Sequence, residues 1–220
     1  MHFAAYKAEE SIANPVKYSD NIIGLINLLD CMVESKVNKI VYSSSAAVYR
    51  IPEKSVVDEE SPTVPINYYS CTKLVCEGIL KWYSLSYGIT YIALRYFNVV
   101  GDSGLLYIDP GAKNIFPILM EVLTGKREKL TIFGRDYPRK DGTPVRDYID
   151  INDLCNTHIL ALNLNDSVIL NLGTGSGFSV YELKELTEKI SGKKFRLFTQ
   201  AEDQVTRQCL SPQTKKRLNC

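Results

Sequence analysis

At 220 residues, 45% hydrophobic and 23% charged, the chain has an ordinary globular composition and is long enough to bury a sizeable core in one domain with an additional lobe. Its 26 basic and 25 acidic side chains give a formal net charge of +1 and are interspersed, which excludes the charge blocks of nucleic-acid or membrane-surface binders. No apolar run reaches the ~18–20 residues of a spanning helix, and Met1-His2-Phe3-Ala4-Ala5 lacks the regions of a signal peptide, so a cytoplasmic location is expected.

Ile22 to Val33 is broadly apolar and helical. Lys39-Ile-Val-Tyr-Ser-Ser44 is β-branched, ends in small hydroxyls and predicts a buried strand opening into a loop. Residues 51 to 68 carry Pro52, Pro62, Pro65 and Asp58-Glu59-Glu60 and predict a polar loop. Leu74, Val75, Gly78, Ile79, Trp82 and Leu85 recur at three and four, predicting a helix from Tyr69 to Tyr87 that Gly88 stops. Thr90 to Tyr96 predicts the next strand. This is βαβ patterning and implies a parallel sheet of the α/β class. After Asn98 the texture is shorter and more irregular. A loop at 101 to 113 precedes a short helix broken by Pro117, and Leu130 to Phe133 predicts a strand. A polar turn at 135 to 144, a strand at Val145 to Ile149 and a helix from Ile151 to Leu164 follow. Val168 to Leu172 predicts a strand running into Gly173-Thr-Gly175. Ser179-Val-Tyr-Glu182 is a capping box opening a helix to Ile190.

The six cysteines (31, 71, 76, 155, 209, 220) show no C-x-x-C spacing and mostly fall in predicted helices, so free buried thiols are expected. His2 and His158 are too few for a histidine-based metal site, no metal is expected, and His158 reads as structural.

Tyr69-Ser-Cys-Thr-Lys73 places a phenol and an ammonium one turn apart on a helix face, and Ser43-Ser-Ser45 sits at the end of the preceding strand. Taken alone the pair is an ordinary i, i+4 surface contact, since chance places a lysine four residues after a tyrosine about once in a chain of this composition. Its context gives it weight, because open α/β sheets bind ligands at strand C-terminal ends. A lysine ammonium and a cationic nicotinamide nearby would favour phenolate at Tyr69, and Ser45 would hydrogen-bond the same substrate oxygen. That is equipment for moving a proton while a hydride leaves an alcohol carbon. No G-x-x-G-x-x-G or G-x-G-x-x-G occurs, and Gly173-Thr-Gly-Ser-Gly177 is the nearest candidate for a dinucleotide site.

His2-Phe-Ala-Ala-Tyr-Lys7, Ser43-Ser-Ser-Ala-Ala-Val-Tyr49, Tyr69-x-x-x-Lys73, Leu94-Arg-Tyr-Phe-Asn98 and Ile132-Phe-Gly-Arg-Asp-Tyr-Pro...Asp141-Gly-Thr-Pro-Val-Arg-Asp-Tyr-Ile149 occur in that order. Together they closely resemble the UDP-glucose 4-epimerase family of extended short-chain dehydrogenases/reductases, over essentially the whole chain. The related nucleotide-sugar 4,6-dehydratases carry an acidic pair where this chain has Ala46 and Ala47, which favours the epimerase reading.

The resemblance implies an incomplete Rossmann-like parallel sheet with helices on both faces plus a smaller α/β substrate lobe. Residues 1–98 would be the later part of an NAD-binding domain whose first βαβ unit is missing. Residues 99–220 would be mainly the substrate lobe, with segments near 145–172 returning to the sheet. It implies Tyr69 as base, Ser45 sharing its proton path, and Lys73 binding the cofactor ribose. Phe3, Ala4, Ala5, Lys7, Asn21, Ser43 and Tyr96 match NAD-contacting positions. Asn98, Asn114, Ile115, Phe133, Arg146 and Asp203 match positions that hold a UDP-sugar, with Arg146 answering the diphosphate. The partners implied are UDP-glucose and UDP-galactose, and a homodimer through a helix bundle containing the Tyr69 helix. The chain departs from the family pattern in lacking the N-terminal glycine fingerprint and the last C-terminal segment, in having Gln200 for an arginine, and in having Arg50 for a glycine. A chain truncated at both ends, with doubtful turnover of its own, is therefore expected. Plainer readings stand beside these: Arg146 as an ion-pair partner of Asp147, Asn98 and Asn114 as turn residues, and Lys7 as a solvated lysine.

Overall fold

The computed structural model describes residues 1–6, 14–49, 56–105, 114–133, 141–200 and 213–214. Its centre is a three-stranded parallel sheet in the order β1 (Lys39–Ser45), β3 (Thr90–Tyr96), β7 (Val168–Leu172), with His2 bridged in parallel to Tyr42 on the outer edge of β1. Alternation puts Ile40, Tyr42, Tyr91 and Ala93 on one face, packed against Leu25, Leu29 and Met32 of α2 (Asp20–Glu34) and Cys76 and Leu80 of α3 (Tyr68–Tyr87). Val41, Ile92 and Leu94 face the other way, onto Leu154 and Ala161 of α5 (Ile151–Ala161). Helices on both faces make the strands buried and near-continuously apolar, as parallel sheets require.

The remaining strands build outward from this sheet. After α1 (Pro15–Tyr18) and β2 (Val56–Val57), which pairs with β10 (Gln213–Thr214), comes β4 (Asn98–Val100), parallel to β6 (Val145–Asp150). The sixth strand also pairs antiparallel with β8 (Gly177–Ser179), and β5 (Leu130–Phe133) pairs parallel with β9 (Leu197–Gln200). A second core joins Leu119 of α4 (Ile115–Leu123), Leu130, Ile132, Tyr148 and Leu183 of α6 (Val180–Ser191). The Ser179–Glu182 capping box is present as read from the sequence.

Three sequence expectations change. Pro117 does not break α4: it lies in the first turn, where the missing N–H has no intrahelical partner to lose. In α3 the helical period holds but the apolar set does not mark the buried face. Thr72, Lys73, Cys76, Glu77 and Leu80 are buried, while Val75, Trp82 and Leu85 are 41%, 69% and 68% exposed. Of the cysteines described, all four are free but only Cys76 is buried.

The inward face of α3 carries charge because of one contact. Glu77 receives Arg95 of β3 through two nitrogens, at 2.9 and 2.6 Å, and both side chains are nearly inaccessible. Ser44 of β1 donates to the same carboxylate at 2.5 Å, Arg95 also donates to the Tyr49 hydroxyl at 2.8 Å, and Tyr49 donates to Asn171 of β7 at 2.6 Å. Ser44, Arg95 and Asn171 are register partners across the sheet. Removing one partner leaves a buried charge uncompensated. Glu77→Ala should therefore cost about 3–5 kcal/mol in urea unfolding, whereas the apolar pair Glu77→Leu with Arg95→Met should recover most of that loss.

Candidate active site

The site forms where β1 ends. Ser45 closes the strand and caps the 3₁₀ turn Ala46–Val48, its Oγ accepting from the Ala47 N–H at 3.2 Å. The same hydroxyl interacts with the Tyr69 phenol, which stands in the first turn of α3. That helix begins sharply because Asn67 and Ser70 form a capping box, and it ends at Gly88, whose φ of 69° is the left-handed conformation that terminates the last turn. Tyr18 meets Tyr69 edge-on at 6.5 Å.

Lys73, one turn on, is 2% exposed and donates from Nζ to the Ser43 carbonyl at 2.7 Å. Its ammonium lies 5.0 Å from the centre of the Tyr42 ring and 5.8 Å from that of Tyr69. Burial lowers its pKa to about 8, against the opposing pull of Cys76 and Glu77. Burial also raises the Tyr69 pKa, with Ser45 pulling it down and Tyr18 pushing it up. In the protein without ligand, then, burial outweighs any pull of Lys73 towards phenolate; the sequence expectation joins Lys73 to a cationic nicotinamide. Desolvation dominates, and one N–H of the ammonium goes to the Ser43 carbonyl.

The other sequence-derived positions fall in three groups. Beside the Tyr69 helix, Ala4 and Ala5 are exposed, and they line with Gly24 a groove of about 350 Å³. Asn21 is buried, accepting from the Tyr6 N–H at 2.9 Å and donating to Thr72 at 3.4 Å. Behind the strand end, Tyr96 and Ser43 are hydrogen-bonded at 2.7 Å, and the Phe3 ring lies 4.9 Å from that of His158. Beyond the central sheet, Asn98 donates to the Asp147 carbonyl at 2.8 Å, Asn114 is the exposed N-cap residue of α4, and Ile115 packs in the second core. Phe133 ends β5, and Arg146 on β6 pairs in register with Phe178. Lys7 and Asp203 lie outside the described residues.

Small side chains at Ala4, Ala5 and Gly24 leave that groove open, so it could hold part of a dinucleotide. Gly173-Thr-Gly175 does not take the phosphate role: the N–H groups of Thr174 and Gly175 donate to the buried Asp147 carboxylate at 2.7 and 2.9 Å, so this anion cradle is filled from within. Asp147 is thereby a structural anchor of the turn. Sequence reasoning also missed Glu77 and Arg95. The only signal was a carboxylate one turn beyond Lys73 on a helix that otherwise packs.

The lowered Lys73 pKa has a stability consequence. Between about pH 8 and 10.5 the unfolded state holds this proton while the folded state loses it, so this group's contribution to stability rises with pH there. The penalty is fully present below pH 8. Tyrosines and Cys76 with raised values act oppositely at the alkaline end. In urea unfolding from pH 7.5 to 9.5, Lys73→Met should therefore be the more stable protein at pH 7.5, with its advantage shrinking as pH rises.

Residues 1–173 match the NAD dependent epimerase/dehydratase family. The chain is 44% identical over 203 residues to UDP-glucose 4-epimerase of Streptococcus mutans, covering 88% of this chain and 61% of that one. It is 47% identical over 209 residues to UDP-glucose 4-epimerase 4 of rice, covering 90% and 57%. The UDP-glucose 4-epimerase of Brucella ovis, solved in complex with NAD, superposes with a TM-score of 0.86 at 32% identity, covering 97% of this chain and 67% of that one. The Stenotrophomonas enzyme, solved with NAD and formylated UDP-arabinopyranose, gives 0.87 at 37% identity, covering 92% and 64%. The chain thus spans about 60% of the length of the curated relatives it matches. With a parallel sheet flanked by helices, a Ser45–Tyr69–Lys73 cluster at its strand end and a family match across 173 residues, this chain belongs to the NAD dependent epimerase/dehydratase family.

Proposed function

We propose that this chain carries the catalytic and sugar-holding part of an NAD-dependent UDP-glucose 4-epimerase. The observation that carries the reading is the meeting of Ser45 and the Tyr69 phenol at the end of β1, with Lys73 buried one turn away. When bound, the dinucleotide would supply hydride-accepting and hydride-donating chemistry at C4 of the sugar, the step that inverts that carbon. Tyr69 takes the proton of the C4 hydroxyl and later returns it. Ser45 hydrogen-bonds that oxygen and keeps it in line with the phenol. Lys73 fixes the strand end through the Ser43 carbonyl and offers its remaining N–H groups to ribose hydroxyls. Arg146 neutralises the diphosphate, and Asn98, Asn114 and Ile115 border the nucleotide-sugar. Ala46 is fully buried and Ala47 partly so, which leaves no acid beside Ser45 to eliminate water and disfavours a 4,6-dehydratase.

A second reading, a non-catalytic UDP-sugar-binding protein, is favoured by the absence from this sequence of a glycine-rich dinucleotide motif. Calorimetric titration with UDP and with NAD, alongside an assay converting UDP-galactose to UDP-glucose, separates the two. The epimerase reading expects slow interconversion that Tyr69→Phe lowers about 10²- to 10⁴-fold. UDP binding with neither NAD binding nor interconversion would establish the second reading in its place. In either case Arg146→Ala should weaken UDP about tenfold or more by loss of a charge-assisted contact.

The outward face of α3 bears on assembly. Val75, Trp82 and Leu85, with Ile23 and Leu28 of the adjoining α2, form exposed apolar surface that a homodimer would cover. Light scattering should give twice the chain mass, and Trp82→Lys should return it to the monomer mass.

A further inference from the structure

His158 on α5 is 3% exposed and is not among the residues assigned above to proton transfer, cofactor or sugar. Its Nδ1 lies 2.9 Å from the Leu154 carbonyl one turn back. A carbonyl only accepts, so Nδ1 carries a proton. Its Nε2 lies 2.5 Å from the Tyr96 hydroxyl, which donates to Ser43 Oγ at 2.7 Å, and Ser43 Oγ donates to the His2 carbonyl at 2.8 Å. The backbone carbonyl of that same Ser43 holds Lys73.

The protons of this chain can be counted. With a neutral imidazole, Nε2 is bare, and Tyr96 must donate to it. The single Ser43 proton then serves either the Tyr96 oxygen or the His2 carbonyl, and one of these contacts goes without. With an imidazolium, Nε2–H donates to Tyr96, Tyr96 to Ser43 and Ser43 to His2, and every contact is satisfied at once. The direction of the Tyr96 hydroxyl is therefore tied to the proton on His158.

We propose that His158 is a positioning residue of the candidate site: through Tyr96 it sets the direction of the hydrogen-bond chain that ends at Ser43, the strand-end residue holding Lys73. The groups facing this chain are Tyr96 from β3, the terminal ammonium of Met1 and, on the far side of Ser43, the His2 imidazole together with Lys73 and Tyr69 of α3. Cys155 on the same helix faces Tyr96. Burial keeps the His158 pKa below the ordinary histidine value, so the neutral arrangement holds at pH 8. The meaning of this for catalysis rests on the function proposed above. The hydrogen-bond chain does not, and its test needs no ligand.

The sequence has two histidines, so ¹⁵N-histidine NMR of the 220-residue chain shows two rings, assigned with His2→Gln. At pH 8 the expected spectrum has His158 protonated on Nδ1 with a bare Nε2; an Nε2–H tautomer overturns the proposal without recourse to any variant. On acidification of His2→Gln, which removes the other imidazole facing Lys73, the Lys73 ε-carbon, assigned by its loss in Lys73→Arg, should shift in step with the His158 ring. In Tyr96→Phe that step should vanish. A Lys73 signal that ignores the His158 titration, or follows it equally in Tyr96→Phe, overturns the coupling. Failure to bind UDP or NAD would count against the proposed function and leave these spectra unchanged.

Discussion

The two-pronged contact between Arg95 and Glu77 is the constraint on which the site depends. A helix lying on a parallel sheet through apolar contacts alone can slide by a fraction of a turn at little cost, because dispersion is non-directional. A guanidinium gripping a carboxylate through two nitrogens has one geometry. Glu77 is four residues beyond Lys73 and eight beyond Tyr69, so fixing it fixes the axial position and rotation of the whole first half of α3. Ser44, hydrogen-bonded to the same carboxylate, ties that position to the strand residue next to Ser45. The pair has no role in the proposed proton transfer, yet it keeps phenol and serine at one level.

Much of the central sheet is legible in the sequence. Thr90–Tyr96 and Val168–Leu172 were bounded correctly because β-branched, doubly buried strands with polar flanks leave little ambiguity, and Ser179–Glu182 declared its helix start through its own side chains. The short strands Asn98–Val100, Gly177–Ser179 and Leu197–Gln200 were not read, since three or four residues show no period and exist only by virtue of their partners. The buried face of α3 was misread for a related reason: hydrophobicity measures what can be buried, whereas this helix buries a lysine and a glutamate whose partners lie on other strands. Of the site, Ser45, Tyr69 and Lys73 were legible from spacing and context. The Ser43–Tyr96–His158 chain was not, because its members are 53 and 62 residues apart and meet only when β1, β3 and α5 close on one another.

The Gly173-Thr-Gly175 turn shows how one backbone motif can serve two opposed ends. Consecutive N–H groups converging on a point attract an anion of any origin. In this molecule the anion is the side chain of Asp147, so the turn stitches β6 to the end of β7 and fixes the strand that carries Arg146. A glycine pattern is therefore informative about the presence of an anion and silent about whose it is.

The chain contains a single tryptophan, and it lies on the side of α3 turned away from the sheet, nine residues or about 14 Å along the helix axis from Lys73. Its indole is mostly bathed in water. Tryptophan emission from this protein consequently reports what settles on the outer helical surface and not events at the far end of β1.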